Sequence, residues 1–220
     1  NQLHEVIRLS GMNLIIDDAD HPLIIKVASI QSARMQVYFI DNEDYFQRKF
    51  MIRDKSGKFF EDNDERIIFF GRGVIETVKK LGWAPDIVHC HGWFSACVPI
   101  YLKTSYKENP IFSESKIIFS LYNDYFPESL DSKMSEKFLM ENVRKKDIEK
   151  LKKPDYLSLM KTAIDYSDAI ILGSEKINET LFDYLKESGK PYLDYQPEEE
   201  YIKAYNAFYN EVMSKESILS

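Results

Sequence analysis

Two of the chain's four histidines, both of its cysteines and one of its two tryptophans lie in one stretch, DIVHCHGWFSACVPIYL, residues 86–102. His89 and His91 are two positions apart, so on an extended strand they point the same way. Such a pair could begin a metal centre, touch a ligand, or close the end of a buried strand. Zinc takes three or four protein ligands. The remaining histidines, His4 and His21, belong to the front of the chain, and Cys90 would point away from the pair. Cys90 and Cys97 match no zinc or redox spacing. No metal is therefore expected. Whether His89 is packed and hydrogen-bonded or binds a ligand stays open on these residues alone.

The elements around the pair define where a site could form. From Asp86 onward, short apolar runs (DIVHC, KIIFSLYN, DAIILGS, PYLDY) alternate with helical patterns: residues 93–106, SEKFLMENV, YLSLMKTAIDYS, INETLFDYLKESG and PEEEYIKAYNAFYNEVM. That alternation predicts an α/β fold with a mostly parallel sheet covered on both faces. Ligands in such sheets gather at the carboxyl ends of the strands. Three such ends can be named, VHCHGW, SLYND and LGSEK, so His89, Tyr122 and Ser174 are expected near one edge.

The front is strand-rich: HEVIRLS, MNLIID, HPLIIKVAS and RMQVYFID are full of β-branched and aromatic residues. Ser10-Gly11 and DADHP read as turns between them. A helix is predicted over 65–81, with Ile67, Phe70, Val74, Ile75 and Val78 on one stripe, N-caps among residues 62–64 and a stop at Gly82. Residues 123–154 are polar and irregular and read as a loosely held connection. Within them RKKDIEKLKK reads as a solvated helix face or loop.

The 220 residues suffice for a substantial core, and 44% hydrophobic content suits a globular protein. A net charge of −7 argues against a nucleic-acid partner. No apolar run approaches the roughly 20 residues that span a membrane. Two cysteines make no disulfide framework, so a reducing cytoplasm is expected. The chain starts at Asn1 rather than Met, so a lost leader remains open.

DIVHCHGWF resembles the D-V-V-H-x-H-D-W-H segment of bacterial glycogen synthases and plant starch synthases, matching at Asp86, His89, His91 and Trp93. VYFIDNEDYFQR and FFEDNDERIIFFGRGVIETVKKLGWAPD look like the family's Y-x-I-D-x-x-x-x-F and Y-x-D-N-x-E-R-x-x-F-F segments. KIIFSLYN sits where the family has a strand ending F-T-V-H-N, and YSDAIILGS is similar to its Y-A-D-x-x-x-x-V-S. Order and spacing agree over residues 37–174. The resemblance implies one half of a GT-B glycosyltransferase, in which ADP-glucose or UDP-glucose gives glucose to an α-1,4-glucan with retained configuration. It implies no metal and no cofactor. By the same resemblance His89, His91, Gly92, Trp93, Phe94, Tyr122, Asn123 and Ser174 are the substrate-binding candidates, with no catalytic residue assigned.

The departures carry equal weight. The family's Lys-x-Gly-Gly loop and first βα unit are absent from these residues. D-W-H becomes Gly92-Trp93-Phe94, and the histidine of V-H-N becomes Tyr122. Phenylalanine can neither donate nor accept the lost hydrogen bond. Residues 1–196 are expected to form a single Rossmann-like domain. Residues 197–220 form a terminal helix, either an ordinary closing helix or one like the helix that crosses back in GT-B synthases. No second GT-B domain is expected within this chain. Losing one positioned donor costs about 10²–10³ in rate, so the chain alone is expected to be inactive, with its site completed by a second chain or a missing segment. The alternative is a non-catalytic glucan-binding or regulatory protein that stacks sugars on Trp93, Phe94, Tyr122, Tyr125 and Phe126.

Overall fold

The computed structural model describes residues 4–214 and contains two sheets. The front sheet is antiparallel, in the order β1 (His4–Ile16), β2 (Ala19–Ile30), β3 (Met35–Asp41). Asp17 and Asp18 both have positive φ, 50° and 59°, and Ile16 pairs with Ala19. The turn is thus a two-residue hairpin loop of the hand that matches strand twist. β1 passes straight through Ser10-Gly11, where the sequence suggests a turn. The register shift between Arg8 and Ser10 absorbs the irregularity as a bulge, because pairing with β2 continues on both sides. Leu14, Ile16, Leu23 and Ile25 alternate inward and are buried.

After a single helical turn, α1 (Glu43–Phe46), helix α2 spans Asn63–Leu81 and ends at Gly82. Gly82 is left-handed (φ 70°), and its N–H bonds the carbonyls of Val78 and Lys79. At the other end Asp62 is the N-cap by position but makes no side-chain cap; its carboxylate is held by Arg48. The expected stripe divides. Ile67 and Ile75 enter the core, while Phe70 and Val74 line a groove.

The second sheet is wholly parallel, ordered β4 (Ile87–His91), β5 (Lys116–Leu121), β6 (Ala169–Leu172), β7 (Tyr192–Leu193). Ile117, Phe119, Leu121 and Ile170 face the main core, together with α2, α3 (Cys97–Lys103) and α5 (Tyr156–Asp165). A Cβ on Gly71 would lie 3.1 Å from Cys97 Cβ, so glycine allows α2 to pack tightly on α3. Ile118, Ala169 and Ile171 form the other face, covered by Phe208 and Val212 of α7 (Tyr201–Ser214). Helix α6 (Glu179–Ser188) lies between β6 and β7 in the chain.

Several helices are shorter than their periodicity suggests. The helix expected over 93–106 becomes a 3₁₀ turn, Trp93–Ser95, followed by α3. SEKFLMENV supplies little beyond α4 (Met134–Lys137). The segment 123–154 is anchored rather than loose: Phe126, Leu130, Met134, Phe138, Ile148 and Leu151 are buried. Lys137 adds a buried cation whose Nζ lies 3.0 Å from Asp64, 2.8 Å from Glu65 and 3.0 Å from Asp131. In α7 the inward stripe is Tyr205, Phe208, Tyr209 and Val212, whereas Tyr201 and Ile202 are exposed. Residues 215–220 of the expected terminal segment lie outside the described residues. No described helix is long and apolar enough to cross a membrane.

Candidate functional site

Parallel pairing brings the three named strand ends together. His91 pairs with Ser120 and Leu121 with Leu172, so His91, Tyr122 and Ser174 end neighbouring strands. His89 sits one side-chain position deeper in β4. Its Nδ1 lies 2.6 Å from the Tyr209 hydroxyl and its Nε2 2.7 Å from Ser120 Oγ. One ring nitrogen donates and the other accepts, which holds a neutral imidazole. Burial, and then the neighbouring His91, push its pKa down to about 3. The His91 ring lies 3.9 Å from that of His89, and its Nδ1 is 2.9 Å from the Tyr122 hydroxyl. Partial burial lowers the His91 pKa as well. The result is a chain of neutral rings and hydroxyls, Tyr209–His89–Ser120 beside His91–Tyr122, on the strand edge where ligands gather.

The turn after β4 is shaped by backbone geometry. Gly92 has φ 69° and ψ 173°, a region essentially restricted to glycine. A Cβ there would lie 2.8 Å from Asp124 Oδ2. Asp124 thus occupies the space a side chain at position 92 would need. It accepts from the Trp93 N–H at 3.1 Å and from the Tyr156 hydroxyl at 2.6 Å. Gly173 is constrained in the same way: a Cβ would fall 2.5 Å from the Tyr122 ring. Beside it, Ser174 Oγ accepts from the Asn123 N–H at 3.0 Å.

The eight candidates therefore differ in availability. His89, His91, Tyr122 and Ser174 converge with Gly92 and Asn123 at the edge. Phe94 is half-buried on an aromatic wall with Phe46 and Phe70. Trp93 is 5% exposed and packs on Phe126, itself 2% exposed, so neither ring is free to stack on a sugar. Tyr125 is 56% exposed. Both cysteines are buried, and burial raises the Cys90 thiol to about 12. No group of three or more His, Cys, Asp or Glu among the described residues is placed to hold a metal. Ser120, Asp124, Gly173 and Tyr209 belong to the site without having been picked out. Ser120 and Asp124 lie within the strand end SLYND and Gly173 within LGSEK, so position carried a signal for these three, whereas nothing in the sequence pointed to Tyr209.

Known proteins agree with this architecture. The starch synthase catalytic domain family matches residues 1–193. The glycogen synthase of Chlorobium phaeobacteroides is 34% identical over 181 residues, covering 82% of this chain and 36% of that protein. That of Chlorobaculum tepidum is 35% identical over 184 residues, covering 83% and 37%. That of Chlorobium limicola is 40% identical over 143 residues, covering 64% and 29%. The chain thus spans about a third of the length of these relatives. Among solved structures, the catalytic domain of starch synthase IV from Arabidopsis thaliana, bound to ADP and acarbose, superposes with a TM-score of 0.68 at 17% identity, over 89% of this chain and 41% of that one. The fold is that of one part of a GT-B synthase, and the chain belongs to the starch synthase catalytic domain family.

Proposed function

We propose that this chain supplies the sugar-facing half of a glucosyl-transfer site, serving transfer of glucose from ADP-glucose or UDP-glucose to an α-1,4-glucan, and that the chain alone does not turn over. The carrying observation is the neutral network at the carboxyl edge, His89, Ser120, Tyr209, His91 and Tyr122. Hydroxyls and neutral imidazoles suit the hydroxyl groups of a sugar, being able to donate and to accept. They do not suit a pyrophosphate leaving group, whose developing charge needs cations or oriented N–H groups. None of the five groups in this network carries a positive charge. A half-site of this kind calls for more polypeptide to hold the phosphates. The extra length of the glycogen synthases it resembles supports that reading. A soluble cytoplasmic setting accords with a nucleotide-sugar donor, and the described residues up to 196 act as one Rossmann-like domain with α7 as a crossover-like terminal helix.

Isothermal titration of the chain with maltohexaose, ADP-glucose and UDP-glucose tests the proposal. The expected result is weak oligosaccharide binding that falls in His91→Ala, with no nucleotide-sugar affinity tighter than about millimolar, a binding free energy near 4 kcal/mol. Micromolar nucleotide-sugar binding would show that the phosphate half is already present.

A further inference from the structure

The family match ends at residue 193, and the residues after it bring a row of tyrosines to the carboxyl edge of the sheet. α7 runs against the strand direction. Asn210 and Met213 lie beside Pro85 and Asp86, which precede β4, whereas the Tyr205 ring lies 5.9 Å from that of His89, and Tyr201 follows one turn nearer the carboxyl edge. Tyr201, Tyr205 and Tyr209 are spaced by four, so they share one helix face. Their ring centres are 5.5 Å and 6.3 Å apart. The row opens to solvent along its length. Tyr209 is half-buried and bonded to His89, Tyr205 is half-buried, and Tyr201 is 39% exposed. Tyr195, just past β7, is 42% exposed. Burial raises the Tyr205 pKa, and the neighbouring Tyr122, Tyr209, Tyr201 and Tyr195 add to it, so the row joins the sugar-facing network at one side and reaches Tyr195 at the other. Among the described residues the hydroxyls of Tyr195, Tyr201 and Tyr205 take part in no hydrogen bond.

A tyrosine stripe that only closes a core has its rings covered and its hydroxyls bonded. Here the outer rings are open and their hydroxyls unengaged. Such rings offer two contacts that a sugar uses: a flat apolar face for the C–H side of a pyranose, and a hydroxyl beside it that donates and accepts. We propose that Tyr201 and Tyr205, with Tyr195 beside them, form a stacking subsite for an α-1,4-glucan, holding the chain as it leaves His91 and Tyr122. The occupant is argued from continuity and from charge. The row begins at the His89–Tyr209 pair, inside the network assigned to sugar hydroxyls. Residues four apart on a helix advance about 6 Å along its axis, close to the length of one hexose unit. Glu198, Glu199 and Glu200 are exposed in the turn that leads into Tyr201, so the approach is negatively charged. That field repels the phosphates of a nucleotide and leaves a neutral polysaccharide unaffected. The inference rests on the reading that this edge is sugar-facing, and adds to it a contact supplied by the terminal helix.

The test is an NMR titration of the 220-residue chain, labelled at tyrosine and histidine ring carbons, with maltohexaose and separately with ADP. Expected is movement of the Tyr201 and Tyr205 signals with maltohexaose, at the same midpoint as that of His91, and no movement with ADP. Tyr201→Ala should weaken maltohexaose binding by about tenfold. It removes an exposed ring and leaves Phe208 and Val212 to dock α7, so folding is not in question. Tyr205→Phe, which keeps the ring, should retain most of the affinity, and Ile202→Ala, an exposed apolar neighbour, all of it. Maltohexaose that moves the His91 signal but neither tyrosine, or that binds Tyr201→Ala as tightly as the unsubstituted chain, would overturn the subsite and leave the sugar-facing reading standing. No movement at His91 or at either tyrosine would overturn both. Movement of Tyr201 and Tyr205 with ADP, or with protein concentration in the absence of sugar, would assign the row to a nucleotide or to a second copy and overturn the proposal as well.

Discussion

Lys137 and His89 are both buried nitrogen bases, and the molecule treats them in opposite ways. Lys137 is ringed by the carboxylates of Asp64, Glu65 and Asp131, and joins the segment after β5 to the start of α2. His89 has no carboxylate contact; it is bonded by two hydroxyls and kept neutral. Full charge is thus used where elements are pinned, and neutral, reversible donors and acceptors where a ligand is expected. Breaking a buried ion pair strands a charge, whereas hydroxyl partners can be exchanged for those of a sugar at little cost.

The largest effect should come from Lys137→Met. It leaves Asp64, fully buried and with its pKa already raised to about 6 by desolvation, without a counter-ion. A loss of about 3–5 kcal/mol is expected in urea unfolding. Adding Asp64→Leu should restore much of it; no recovery would mean that Lys137 acts through Glu65 and Asp131 instead. Next is Gly173→Ala, which drives a methyl into the Tyr122 ring and should cost about 1–3 kcal/mol. It should also break the His91–Tyr122 contact, visible as an altered His91 imidazole signal in NMR titration.

The pH dependence separates the two bases. The His89 pKa is lowered from 6.5 to about 3, so the unfolded chain takes that proton first and stability falls as pH drops below about 6.5. Asp64 works the other way. Its pKa is raised from 3.8 to about 6, so the folded chain takes that proton first and gains stability as pH falls through 6. Urea midpoints from pH 7 to pH 4 in His89→Gln should show a shallower acid-side decline, the remainder coming from His91, whose pKa is lowered too, and keep the gain; an unchanged decline would place its source elsewhere. The smallest effect is expected from Tyr209→Phe, about 1 kcal/mol for one hydrogen bond, with α7 still docked through Phe208 and Val212.

The parallel sheet was legible because β4, β5 and β6 are short apolar runs separated by helical patterns, and Gly82 marked a helix end because only the left-handed region stops α2 there. Ser10-Gly11 misled because a glycine inside a strand looks like a turn until its partner strand is known. The segment 123–154 misled because its polar residues outnumber its anchors; Phe138 is identifiable as buried only once the Tyr101 ring is stacked on it at 4.0 Å. At the site, His89, His91 and Tyr122 were named by motif and position. Tyr209 comes from a helix more than a hundred residues away, and Asp124 matters through the space left by Gly92, neither of which is local information. The stacking role suggested for Trp93 failed because that ring completes the core.

The most direct test of the central claim is transfer of labelled glucose from ADP-glucose and UDP-glucose to glycogen by this chain alone. The account predicts no label in the polymer above the level of a chain-free control, with the glucan still bound by the protein. Label incorporated in proportion to protein, and abolished in His89→Ala, would contradict it by showing that the half-site is already a whole one.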